Sequence, residues 1–238
     1  MASQGPGRHT WGMSANPAAG QTVVVTGASR GIGRVVAVSL ARSGAAVAGV
    51  ARQGKDLGSL RAAAGPGTVL LPISADVRSP VEVDAAFERA EAELGAPSLV
   101  VTCAGTVDAL GPGWLADPDL WWDAVAVDLR GTMLTASAAI RRMLAAGGGR
   151  VVTIYGNLGD RQQSHVSAFA VAKAGIARLA ESLACELHGT AVRVLCLHPG
   201  FVRTPMTGHL AWGEPGRTWL PPSRAPRSGG VTASPPWP

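Results

Sequence analysis

The run Thr26-Gly27-Ala28-Ser29-Arg30-Gly31-Ile32-Gly33 suits one piece of chemistry, the holding of a phosphate. Missing side chains let backbone N–H groups approach a pyrophosphate, and a helix opening there adds a positive dipole end. The plainer alternative is a Gly-rich turn between a strand and a helix. A second group of residues could move protons. Tyr155 is the only tyrosine, His165 and Ser167 follow it closely, and Lys173 is one of only two lysines, with Lys55. A histidine is chemically sound as a general acid, although a solvated loop histidine is the commoner case. Asp128, inside a helical stretch, could meet the Lys173 ammonium as an ion pair or a proton relay. Cys103, Cys185 and Cys196 have no paired spacing. They read as buried thiols in a reducing cytoplasm, with neither a metal site nor a disulfide frame.

These residues need elements to position them. Apolar runs of strand length recur at Thr22–Val25, Ala45–Val50, Val69–Ile73, Leu99–Cys103, Val151–Tyr155 and Val192–Leu197. Helical stretches alternate with them at Ile32–Arg42, Pro80–Leu94, Leu120–Leu144 and Ala168–Leu187. Short, fully apolar runs alternating with helices predict an α/β fold, with one parallel sheet covered by helices on both faces. The glycine run sits where a phosphate cradle requires, after the first strand and at the start of the first helix. Residues 1–20 read as a loose leader, 21–212 as the nucleotide-binding domain, and 213–238 as a Pro-rich irregular tail. Seven of the 17 prolines fall between Pro215 and Pro238.

Composition narrows the classes further. The chain has 238 residues, 47% hydrophobic and 16% charged, which excludes a wholly disordered protein. No apolar run is long enough to span a membrane. The net charge of +5 comes largely from Arg8 and from Arg217, Arg224 and Arg227, with no basic run or interleaved aromatics. A nucleic-acid partner is therefore not expected.

The Gly-x-x-x-Gly-x-Gly spacing after Thr26 resembles the classical short-chain dehydrogenase/reductase family. The resemblance continues in order over residues 21–206. Asp76-Val77 looks like the family's adenine-contacting pair, Ala104-Gly105 like the end of its Asn-Asn-Ala-Gly motif, and Pro199-Gly200, with Val202 and Thr204, like the loop over the nicotinamide. It implies a Rossmann-like doubly wound sheet and a nicotinamide cofactor held by Gly27, Ser29, Arg30, Gly31, Ile32, Gly33, Arg52, Asp76, Val77, Ala104, Gly105, Lys173, Pro199, Gly200, Val202 and Thr204. It further implies hydride transfer between that cofactor and a carbonyl or alcohol. The charges favour NADP(H): no acid occurs between Gly33 and Asp56, Ala51 takes the expected acidic place, and Arg30 and Arg52 suit a 2′-phosphate.

The resemblance fails at the chemistry. The Tyr of the family's Tyr-x-x-x-Lys is Phe169, although Lys173 is present. The Ser position falls on Gly156, the Asn position on Asp128, and Asn-Asn on Thr102-Cys103. Phenylalanine has no proton to give and glycine no hydroxyl, which would cost roughly 10²–10⁴ in rate for a lost acid/base alone. Tyr155, His165 and Asn157 are the substitutes within reach. Three readings follow: an NADP-dependent oxidoreductase with an unusual proton donor, a nucleotide-binding protein without turnover, and a truncated or decayed relative. No seventh strand is visible after Pro199-Gly200.

Trp114, Trp121 and Trp122 read as cleft, core or interface. Helices 120–144 and 168–187 resemble the family's dimer-forming pair. Their small residues (Ala136, Ala138, Ala139, Ala174, Ala177, Ala180, Ala184) suggest close packing against a second copy.

Overall fold

The computed structural model describes residues 18–52, 55–156 and 164–207. Six parallel strands form one sheet: β1 (Thr22–Thr26), β2 (Ala46–Ala51), β3 (Val69–Ser74), β4 (Leu99–Thr102), β5 (Gly149–Ile154) and β6 (Val192–Leu197). Their spatial order is β3-β2-β1-β4-β5-β6. The chain therefore winds outward one way from β1 to β3, then crosses back beside β1 and winds the other way. That reversal leaves a crevice at the carboxyl ends of β1 and β4, where α/β sheets bind ligands.

The helices are α1 (Gly31–Arg42), α2 (Lys55–Gly58), α3 (Leu60–Ala64), α4 (Pro80–Leu94), α5 (Pro118–Val125), α6 (Gly131–Ala145) and α7 (Ser167–Glu186). Each sheet face carries its own core. One gathers Val24, Ala48, Phe87, Val100, Met143 and Val151 under α4 and α6. The other gathers Val23, Val25, Val47, Leu60 and Val101 with Ala37 of α1. Strand β1 lies mid-sheet with both faces covered, so all of its residues are buried and it reads as an unbroken apolar run.

The predicted helix 120–144 begins earlier, at Pro118, where the Asp117 carboxylate accepts the N–H groups of Asp119 and Leu120. It is one continuous rod only through a π-helical turn at Ala126–Arg130. The short α2 and α3 give no sequence signal over so few residues. Six strands are seen and no seventh among the described residues. The leader before Ala18, the tail 213–238, Asn157 and the loop 157–163 lie outside the described residues.

Two expectations are corrected. Ala136, Ala138 and Ala139 pack onto the sheet, within the core under α4 and α6, so they offer nothing to a second copy. Ala180 is buried as well. These buried alanines let the helices approach their own sheet, whereas Ala174 and Ala184 are exposed. The cysteines also divide: Cys103 is half-buried, but Cys185 and Cys196 are exposed. Cys196 lies on the outermost strand and Cys185 on the outer side of α7, so apolar neighbours in sequence did not mean burial.

Candidate active site

Three loops meet at the carboxyl end of the sheet. The turn after β1 takes positive φ at Gly27 (68°) and Gly31 (58°). At Gly27 an added Cβ would lie 2.7 Å from the backbone of Cys103 and Ala104. That glycine is thus required by the neighbouring β4 loop as much as by any ligand. Thr26 ties the same two segments, its hydroxyl accepting the N–H of Cys103 at 3.2 Å and of Ala104 at 3.4 Å. Thr204 closes from the third side: a Cβ on Gly31 would stand 3.5 Å from its side chain. The stretch after Pro199-Gly200 is therefore folded against the glycine turn. Arg30 precedes α1 in extended backbone, no side chain caps the helix, and no acid occupies its first turn. This uncapped, positively polarised end suits an anionic group, so the residues fit a nucleotide pyrophosphate.

Strand β2 ends in buried Ala51, followed by exposed Arg52. Arg52 is close enough to Asp76 for its charge to help lower that carboxyl. Asp76 itself is held by Arg78, whose guanidinium reaches both carboxylate oxygens (2.7 Å to Oδ2, 3.2 Å to Oδ1). These hydrogen bonds are the main reason its pKa falls below the ordinary value. Val77 is buried against α6, where Gly131 leaves room for it. Arg78 was missed from sequence because its partner, two residues away, is met only through the turn after β3.

The deepest part of the site is charged. Asp128 is fully buried in the π-helical turn, a geometry found often at functional sites. Its Oδ1 accepts the N–H of Thr106 at 2.7 Å. Its Oδ2 lies 3.2 Å from Nζ of Lys173, an ion contact without an aligned hydrogen bond. Lys173 is 7% exposed and also donates to the Ile154 carbonyl at 3.3 Å. Burial pushes the Asp128 carboxyl above its ordinary value, with the Lys173 ammonium pulling the other way. Burial likewise pushes the Cys103 thiol up to about 12, again opposed by Lys173. Of the two options open for Asp128, the ion pair is present.

The remaining positions are arranged around that pair. The Phe169 ring lies one helical turn before Lys173, its centroid 5.0 Å from Nζ. Gly156 has φ 86° and open space where a side chain would start. Strand β5 ends at Ile154, so Tyr155 is beyond it, and its ring packs edge-on against His198 with centroids 5.6 Å apart. His165 sits in left-handed backbone (φ 68°), and its Nδ1 is buried without a hydrogen-bond partner among the described residues. Its carbonyl accepts the N–H of Gly111, which brings the loop after β4 over the start of α7. Ser167 accepts a hydrogen bond from Trp121 Nε1 at 3.0 Å. Trp121 is thus partly packed between α5 and α7, whereas Trp114 and Trp122 are 86% and 64% exposed. Among the described residues no His, Cys, Asp and Glu cluster suits a metal ion. No described helix is long and apolar enough to cross a membrane.

Comparison with known proteins agrees with this geometry. The short chain dehydrogenase family model matches residues 21–214. The chain is 36% identical over 191 residues to cis-4-hydroxycyclohexanecarboxylate dehydrogenase of Sinomonas cyclohexanicum, covering 80% of this chain and 76% of that one. A short-chain type dehydrogenase/reductase from Mycobacterium marinum superimposes with a TM-score of 0.76 at 31% identity, covering 81% and 77% of the two chains. An actinorhodin polyketide ketoreductase variant solved with NADPH gives 0.74 at 29% identity, covering 79% and 73%. With its glycine turn, switch-point crevice and buried lysine, the chain belongs to the short-chain dehydrogenases, a family of nicotinamide-dependent oxidoreductases.

Proposed function

We propose that this protein binds NADP(H) and passes hydride between the nicotinamide and the carbonyl or alcohol carbon of a small molecule. The observation that carries the cofactor choice is the end of β2, where Ala51 and Arg52 stand and no carboxylate does. A carboxylate there would bind a ribose 2′-hydroxyl and repel a 2′-phosphate, whereas guanidinium groups attract one. Arg30 lies exposed in the glycine turn and supports the same choice. The similar ketoreductase solved with NADPH points the same way. Residues 27–33 hold the pyrophosphate, and Pro199, Gly200, Val202 and Thr204 close over the nicotinamide. A bound nicotinamide supplies or accepts the hydride.

This chain's own residues supply less. Lys173 is kept in the crevice by Asp128 and Ile154, where a third N–H of its ammonium is left for a ribose hydroxyl. Phe169 excludes water beside it and donates no proton. Among the described residues His165 is the strongest candidate to protonate a substrate oxygen, since its buried Nδ1 has no partner. Tyr155 is a weaker one because its ring is already packed against His198.

A second reading, nucleotide binding without turnover, is favoured by Phe169 and Gly156 together. The oxyanion hydrogen bond and the positioned acid are both missing from the places where the family keeps them. We assign a second copy of the chain as the partner, meeting helices 118–145 and 167–186. Exposed Trp122, Met133 and Val171 support this, in place of the inward-facing alanines.

Fluorescence titration with NADPH, and NADH as the control, tests the cofactor. A carbonyl panel then separates the two readings. Turnover by the natural chain that is lost in His165→Ala supports the first. Turnover only after Gly156→Ser with Phe169→Tyr, alone or together with Asp128→Asn, supports the second. Binding of neither nucleotide refutes both.

A further inference from the structure

Lys173 has its counter-charge on the π-helical turn and not on its own helix. The ammonium lies 3.2 Å from Oδ2 of Asp128 and 5.0 Å from the centroid of the Phe169 ring. The carboxylate is fixed, because its other oxygen is bound by the Thr106 N–H and the π-helical turn around it is anchored by Thr132, whose hydroxyl donates to the Asp128 carbonyl at 2.6 Å. Gly105 permits this close approach: a Cβ there would meet both carboxylate oxygens at 3.2 Å. The site is dry, with Asp128 fully buried and Lys173 nearly so. In such surroundings a charge acts strongly on its neighbours, and a paired counter-charge largely cancels its field.

We propose that Asp128 is a positioning residue that takes the place of an ionised group at position 169, so that Phe169 and Asp128 are one coupled electrostatic feature. With Asp128 present, the Lys173 ammonium is neutralised from the α5–α6 side, needs no anion on α7, and lends little of its field to a ring at position 169. A phenol placed there by Phe169→Tyr would gain a hydroxyl but not the acidity that an unpaired ammonium beside it would confer. Restoring an effective proton donor therefore takes two changes, the ring hydroxyl and neutralisation of Asp128. The other titratable groups facing the pair are Cys103 at the end of β4, which feels the Lys173 charge, and Asp108 in the loop after β4, which feels Asp128. Among the described residues neither is a hydrogen-bond or ion-pair partner of the ammonium, whose partners are Asp128 and the Ile154 carbonyl. The inference rests on the reading of Lys173 as the residue facing the reacting groups, but its main test needs no cofactor.

The chain's single native tyrosine makes that test simple. Full-length Phe169→Tyr and Phe169→Tyr/Asp128→Asn are titrated by tyrosinate absorbance, with the natural chain as the Tyr155 blank. Asparagine retains an oxygen for the Thr106 N–H and removes the charge. The expected result is a new phenol in Phe169→Tyr that ionises no lower than an ordinary tyrosine, about pH 10. Adding Asp128→Asn should lower that midpoint by about one pH unit or more. Identical midpoints in the two variants overturn the proposal. So does a phenol well below the ordinary range in Phe169→Tyr alone, a result that decides the question even if the double variant fails to fold. In a Gly156→Ser background, NADPH-dependent carbonyl reduction should rise about tenfold or more on adding Asp128→Asn to Phe169→Tyr. If NADPH does not bind, the cofactor reading fails while the optical result still judges this one.

Discussion

The hydroxyl of Thr26 accepts the backbone N–H of Cys103, joining the last residue of β1 to the loop that follows β4. The same oxygen lies 3.4 Å from the N–H of Ala104. Parallel strands part at their carboxyl ends, and this side chain replaces the ladder hydrogen bonds that stop there. Thr26→Val keeps the shape and strands two donors, so it should cost about 1–3 kcal/mol. Thr26→Ser should cost less than half of that. Chemical denaturation of both variants checks the order, and equal losses would show that the methyl group matters more than the hydroxyl.

Gly27→Ala should be more damaging. The added carbon would press within 2.7 Å of the backbone at Cys103 and Ala104, in a conformation with φ 68° that L-residues avoid. Backbone cannot yield as a flexible side chain does. A loss of about 2–4 kcal/mol is expected, read as a lower midpoint of thermal or urea unfolding even without nucleotide.

Arg52 should discriminate between cofactors with little effect on the fold, because it is exposed. Arg52→Asp should weaken NADPH binding about tenfold or more and leave NADH binding equal or stronger. Titration with both nucleotides measures the ratio. An unchanged ratio would place the 2′-phosphate elsewhere.

The Asp76–Arg78 pair gives an acid-side signature. The folded state holds the Asp76 carboxyl below its ordinary value because Arg78 hydrogen-bonds the ionised form. The unfolded chain therefore binds the proton more readily. The pair's contribution is fully present above the ordinary carboxylate range, about pH 4, and is lost as pH falls through the lowered value. The stability difference between the natural chain and Arg78→Met should shrink as pH falls from above the ordinary carboxylate range through the lowered value.

Asp128 gives the opposite sign. Burial raises its carboxyl in the folded state, so the native protein binds the proton more tightly than the unfolded chain does. Its contribution to stability is highest below the ordinary carboxylate range and falls as pH rises through the raised value. Asp128→Asn should flatten that slope. Asp128→Ala should cost about 3–5 kcal/mol at neutral pH, since it leaves the Lys173 ammonium buried without its partner. Urea unfolding at several pH values checks both statements.

The sheet and its helices were legible in the sequence because strand and helix periods are local. Val23, Val24 and Val25 are apolar in succession, and a run covered on both faces needs no distant information to be recognised. The same holds for the glycine turn, whose residue types act on backbone within a few positions. Burial of surface helices was less legible. Ala136 and Ala174 look alike in sequence, yet one lies in the core and the other faces outward.

By itself the sequence determined the six-strand parallel fold, the phosphate turn, the missing acid after β2 and the absence of a hydroxyl at positions 156 and 169. Only the tertiary structure decided what surrounds Lys173. Asp128 lies 45 residues before it and Ile154 lies 19 before it, on different elements, and the two meet the ammonium because α7 packs against both β5 and the π-helical turn. Electrostatics at the site depends on distance and burial through space. Chain order carries neither.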